Sequence, residues 1–151
     1  MVVMEIVKGD YTISTNRSKL DLLFIHQYLS EESYWAQGIP FDKVVTAADH
    51  SLNFGLYHGD RQIGYARIVT DYARVAYLAD VYVVAGYQGR GLSKWLMEVI
   101  MNYPELQGLR RWMLHTRDAH GLYERFGWGA PAKPETCLEI YNPAEQWWVT
   151  G

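Results

Sequence analysis

DVYVVAGYQGRGLSKWLMEVI, running from Asp80 to Ile100, is the stretch whose reading decides the fold. It begins as a nearly continuous apolar run with one acid, Asp80, and ends that run in Gly86-Tyr87-Gln88-Gly89-Arg90-Gly91. Leu92, Trp95, Leu96, Val99, Ile100 and Tyr103 then recur at helical spacing. A strand thus passes into a helix through a turn almost bare of side chains. Such a turn exposes backbone N–H groups at a helix N-terminus, where the peptide dipoles favour a phosphate-type anion. Arg90 and Lys94 add positive charge, and a pyrophosphate is the natural guest. The same glycines can also be read as making a tight turn and nothing more.

Working outward, Leu52 to Tyr57 and Gln62 to Thr70 read as two strands joined by His58-Gly59-Asp60-Arg61, a hairpin turn with a central glycine. Arg74 to Val84 follows the Asp71-Tyr72 turn as a third antiparallel strand. Tyr11 to Thr15 alternates as a short strand near the start. Ser18 to Leu29 has the apolar spacing of an amphipathic helix, Tyr34 to Pro40 is a loop, and Phe41 to Ala48 is a second helix opened by Asp42. After Pro104 to Gly108, Arg111 to Thr116 is strand-like, Ala119 to Phe126 is a short helix and Thr136 to Tyr141 is a last strand. The expected order is β-α-α-β-β-β-α-β-α-β, an α+β fold with a mixed, mostly antiparallel sheet flanked by helices.

Its 151 residues suit one domain spanning 1–151, and 49% hydrophobic content supports a sizeable core. A net charge of −3 without a basic block argues against nucleic acid. The single cysteine, Cys137, excludes a disulfide within the chain, and the five histidines lack metal-ligand pairing. The opening MVVMEIVKGD lacks the pattern of a signal peptide, and no apolar stretch is long enough to span a bilayer. The expectation is a cytoplasmic protein without metal or membrane partner. Trp147 and Trp148 are expected to pack on the sheet or to sit in a homodimer interface.

Two phosphate loops fail the test of residues. A P-loop requires lysine where Leu92 stands. A dinucleotide fingerprint requires a third glycine where Lys94 stands, and the preceding strands do not form its βαβ unit. Gln88-Gly89-Arg90-Gly91-Leu92-Ser93 instead resembles the [RQ]-x-x-G-x-[GA] signature of the GNAT superfamily of N-acetyltransferases, with Ser93 at the small final position. VYVVAGYQGRG is similar to that superfamily's fourth strand running into its acetyl-CoA loop. AHGLYERFGW, Ala119 to Trp128, resembles its A-x-x-L-Y-x-x-x-G-F segment, with Trp128 for Phe. The likeness covers roughly Tyr11 to Tyr141.

The resemblance implies the acyl-CoA N-acyltransferase fold and acetyl-CoA as co-substrate. It implies that the backbone of Gln88, Gly89, Arg90, Gly91, Leu92, Ser93 and Lys94 holds the pyrophosphate. Val81 and Val83 match the strand positions that bond the pantetheine arm. The Val83 amide matches the donor to the tetrahedral oxyanion. The reaction implied is acetyl transfer to the primary amine of a small molecule by direct attack. Acetylation of a protein N-terminus or lysine, or acyl-CoA sensing without catalysis, are the alternatives.

Acetyl transfer needs the amine neutral when it attacks, and an aliphatic amine has a pKa of ~10, so its proton must be taken. Tyr123 aligns with the tyrosine that serves as acid to the leaving thiolate, although Leu122 and Phe126 beside it also fit a core aromatic. Asp80 is a base or amine-binding group: an acid inside an apolar strand is costly and requires a reason. By alternation it shares a face with Leu78, Tyr82 and Val84, and a bond to Arg67 or nearby backbone is its structural explanation. His115, at a strand end, titrates in the right range or is simply solvated. Asp118 reads as a helix N-cap, and His120 stands beside it at the start of the same helix without a site role. Tyr34, Trp35 and Tyr82 are expected to wall the acceptor pocket, where aromatic rings can hold a cation, or to pack in the core.

Overall fold

A computed structural model describes residues 2–149 of the chain. Its sheet has six strands in sequence order: β1 (Glu5–Lys8), β2 (Tyr11–Ser14), β3 (Leu52–His58), β4 (Arg61–Thr70), β5 (Val75–Val83) and β6 (Arg111–Leu114). β1 to β5 pair antiparallel, and β5 and β6 pair parallel. Helices α1 (Leu22–Gln27) and α2 (Phe41–Asp49) lie between β2 and β3; α3 (Leu92–Met101) joins β5 to β6, and α4 (His120–Glu124) follows β6. The antiparallel β3-β4-β5 meander and the parallel β5-α3-β6 crossover agree with the sequence reading.

Three elements differ from that reading. β1 is an additional edge strand; its burial is too slight to leave an apolar alternation in EIVK. Thr136 to Tyr141 is not a strand: a single 3-10 turn covers Pro134–Thr136, and Leu138 and Ile140 are fully exposed. Alternation gave that stretch a strand pattern, but no edge of the sheet is paired with it. The first helix is broken into a 3-10 turn at Arg17–Lys19, α1, and a wide turn at Tyr28–Glu32 closed by the Ser33 N–H on the Tyr28 carbonyl at 3.0 Å. That wide turn puts the Tyr28 ring flat on Tyr82, centroids 3.7 Å apart. Among the described residues no helix is long and apolar enough to cross a membrane.

Two apolar layers sandwich the sheet. Leu92, Trp95, Leu96, Val99 and Ile100 of α3 pack on Phe54, Ala66, Ile68, Ala76 and Leu78. Leu96 and Ile100 are completely buried, each worth about 1.5–3 kcal/mol relative to exposure. On the opposite face, Ile25 and Leu29 after β2 and Val44 of α2 pack on Tyr65 and Tyr82. The candidate site lies at the parallel edge of β5.

Candidate active site

β5 and β6 pair only from Val75↔Arg111 to Leu78↔Leu114. β6 then ends, while β5 runs on to Val83. Beyond Leu78 the outer edge of β5 has no ladder partner. The strand also changes form there. Its register against β4 passes from Arg67↔Ala79 to Tyr65↔Tyr82, so Ala66 faces two residues, Asp80 and Val81. Asp80 takes φ +53, a left-handed conformation that Asp tolerates better than most residues. After this bulge, the Val84 N–H donates to the Ile63 carbonyl at 2.9 Å, on the β4 side. By alternation Val83 presents its backbone to the open edge. There its carbonyl accepts from Gln88 Nε2 at 2.8 Å.

The glycine loop closes the same edge. Gly89 and Gly91 have φ +78 and +76, and a Cβ on either would point into open space. The first α3 hydrogen bond runs from the Trp95 N–H to the Gly91 carbonyl at 3.0 Å. The N–H groups of Leu92, Ser93 and Lys94 therefore have no partner within the helix, and no side chain caps them. Leu92 buries its side chain, so it contributes to this end through its backbone. Arg90 extends sideways, its Nη1 on the Tyr11 hydroxyl at 3.1 Å and its guanidinium over the Tyr87 ring. Bare amides, left-handed glycines and open space in front fit a phosphate-type anion.

Beside the open edge of β5 is a cleft of about 740 Å³ whose lining brings together Tyr34, Trp35, Asp80, Val81, His115 and Tyr123. Both carboxylate oxygens of Asp80 are engaged: Oδ1 accepts from Trp35 Nε1 and Oδ2 from Arg67 Nε, each at 2.8 Å. Arg67 also donates to the Ser51 hydroxyl at 3.2 Å. The Tyr34 hydroxyl accepts from the Arg117 N–H at 2.9 Å, and the Arg117 guanidinium lies 3.8 Å from the Tyr34 ring centroid. His115 Nδ1 shares a 2.8 Å hydrogen bond with the Tyr77 hydroxyl. Tyr123 is 8% exposed. Burial first, then Tyr34 and Asp118, push its phenol up to about 12, so it is protonated at neutral pH.

The model of the Acetyltransferase (GNAT) family matches residues 15–128 of this chain. The chain belongs to the GNAT family of acetyltransferases. It is 47% identical to a GNAT-family protein of Xanthomonas campestris pv. campestris, with a TM-score of 0.87 over 91% of this chain and 96% of that one. A Gibberella zeae protein named as an acetyltransferase is 32% identical over 77% of each chain. A Clostridium acetobutylicum acetyltransferase solved with acetyl-CoA shares the fold at 14% identity and a TM-score of 0.62, over 87% of this chain and 94% of that one.

Within this GNAT domain, the expected site residues divide. Asp80, His115, Tyr123, Tyr34, Trp35 and Val81 meet at the cleft, while Val83 and residues 88–94 lie outside its lining, on the glycine-loop side. Tyr82, expected in the acceptor pocket, is not in the lining. It is 5% exposed, covered by Phe24 and Tyr28. The expected face-sharing of Leu78, Asp80 and Tyr82 also fails. The bulge shifts the alternation, so Leu78 packs toward α3 and Tyr82 toward α1. Asp118 is not the N-cap of α4; Ala119 holds that position, and its N–H donates to Thr116 Oγ1 at 3.1 Å. His120 is exposed and outside the cleft lining.

The sequence reading gave no site role to Arg67, Tyr77, Arg117 or Trp147, all of which line the cleft. Arg67 carried a signal, an arginine between Ala66 and Ile68 within a strand, where an unpaired charge is costly. Trp148, next to Trp147, packs against the α1–α2 side of the core, and a Cβ on Gly38 would lie 3.5 Å from its ring. Among the described residues no group of three His, Cys, Asp or Glu side chains could hold a metal.

Proposed function

We propose that this GNAT acetyltransferase moves the acetyl group of acetyl-CoA to the primary amine of a small molecule by direct attack. One observation carries the reading: the open edge of β5 runs from the anion-fitting start of α3 to the Asp80 cleft. A long thioester substrate needs such a path, with its charged end at one terminus and its reacting end at the other. Acetyl-CoA bound to a fold relative of this chain supports the same reading.

In this scheme the pyrophosphate sits on the amides of Leu92, Ser93 and Lys94. The pantetheine arm lies along Val81 and Val83. The amine nitrogen attacks the thioester carbonyl, and the Val83 N–H donates to the developing oxyanion. The C–S bond breaks as Tyr123 gives its phenolic proton to the leaving sulfur. The proton lost by the amine goes to Asp80 or His115, or to water, and re-protonation of Tyr123 from solvent completes the cycle. Calorimetry with CoA, followed by thiol release from acetyl-CoA in the presence of amines, tests the proposal. Absence of CoA binding, or binding with no amine-dependent release, removes it.

A further inference from the structure

The acceptor side of the cleft has a composition of its own. Its floor carries the Arg67–Asp80 ion pair. Its inner wall is Leu29, Ile39, Val44 and Tyr65, all 9% exposed or less. Tyr34 and Trp35 bridge the opening. Trp35 is tied to Asp80 on β5, and Tyr34 to Arg117 in the segment after β6.

The charges of the lining point the same way. Its cations are Lys43, Arg67 and Arg117, and its acids are Asp80 and Asp118. Arg67 offsets Asp80, so the inner end has no net negative charge to hold a polycation. A peptide laid on the inner wall would leave its backbone N–H and C=O groups without partners. A small apolar body loses nothing of that kind and removes its own surface from water. An ionised carboxylate has about four acceptor sites. Trp35 and Arg67 occupy two on Asp80. The remainder can accept an N–H from one amine.

Given the proposed N-acetyltransferase reaction, on which this inference rests, we infer that the acceptor is a compact primary monoamine on an apolar, ring-sized body. Its nitrogen lies at Asp80 and its body against the inner wall. This separates the protein from acetyltransferases for polyamines and for peptide N-termini by the chemistry of the pocket.

The test measures thiol release from acetyl-CoA by the intact protein with 2-phenylethylamine, spermidine and trialanine. The expected result is a kcat/KM for 2-phenylethylamine at least about 10-fold above either competitor, the scale on which an apolar pocket discriminates. Ala47→Asp, which places a carboxylate on a half-buried α2 position of the lining, is expected to narrow that gap toward spermidine without changing the KM for acetyl-CoA. If wild type prefers spermidine or trialanine, the inference falls while the N-acetyltransferase reading stands. If no amine promotes thiol release, both fall. The wild-type panel decides even if Ala47→Asp does not fold.

Discussion

Trp35 donates its indole N–H to Asp80 at 2.8 Å across 45 residues of sequence. The bond fastens the loop between α1 and α2 to the bulge of β5, and with it the roof of the cleft to its floor. Arg67 holds the other oxygen of the same carboxylate at 2.8 Å, with only 19% and 12% of the two side chains exposed. The acid that looked out of place in an apolar strand is therefore the point where three segments meet.

Asp80→Asn keeps the shape and tolerates the left-handed backbone, so the protein should fold. It removes the charge that faces Arg67. The expected outcome is a fall of about 10²-fold or more in kcat/KM for the amine, with CoA binding retained. His115→Gln should cost little. Steady-state kinetics of both variants across pH decide the matter. Loss of activity and of its pH dependence in His115→Gln, with both kept in Asp80→Asn, would assign the proton to His115.

Tyr123→Phe removes one hydroxyl and should lower kcat by about 10²-fold. The phenol is pushed up to about 12, so it stays protonated from neutral pH past 10. A fall of kcat beginning near pH 9 would therefore have another origin. Stability gives a second reading. The raised value means that this group's contribution is complete below its ordinary value near ~10 and is lost as pH climbs through about 12. Alkaline unfolding of Tyr123→Phe should lack that component, as thermal melts at pH 9 and 11.5 would show.

Gly91→Glu puts a carboxylate at the left-handed residue, φ +76, that opens α3. CoA binding should be lost, since the anion would meet a like charge at the free amides. Gly91→Ala separates strain from repulsion, with an expected stability cost of about 1–2 kcal/mol. Calorimetry with CoA on the two variants is the measurement. Wild-type affinity in Gly91→Glu would remove the loop from the cofactor site.

Asp71 governs the turn between β4 and β5. Its Oδ1 accepts from the N–H groups of Ala73, Arg74 and Val75 at 3.0, 2.8 and 3.1 Å. These bonds hold its carboxyl down at about 2. The stabilisation is complete above the ordinary value of 3.8 and fades as pH falls toward about 2. The melting temperature of wild type should exceed that of Asp71→Ala by a constant margin above pH 5. The margin should shrink between pH 4 and 3. A margin unchanged at pH 3 would contradict the turn assignment.

The legible parts of the sequence were those in which local period and burial agree. Leu92, Trp95, Leu96, Val99 and Ile100 announced α3 because the helix buries one stripe against a continuous sheet. The glycine turn announced its own backbone conformation. The cleft was legible in its strand and motif residues, Asp80, Val81, His115 and Tyr123, and in the loop aromatics Tyr34 and Trp35. Arg117 and Trp147 come from irregular segments, whose placement depends on tertiary contacts that leave no period in the chain. Tyr82 was misplaced because a bulge changes which side chains face which layer, and nothing in LADVY marks one. Leu138 and Ile140 show the converse: an alternating pattern without a partner edge is not a strand.

The bulge also has a genetic consequence. Ala76 and Leu78 face α3 before it, and Val81 and Val83 do so after it, so β5 carries two phases within nine residues. Removing one residue at that point would restore a single phase and leave Tyr82 and Val83 on their present sides. No substitution has that effect. The extra residue of β5 is thus a single codon, gained or lost only by insertion or deletion.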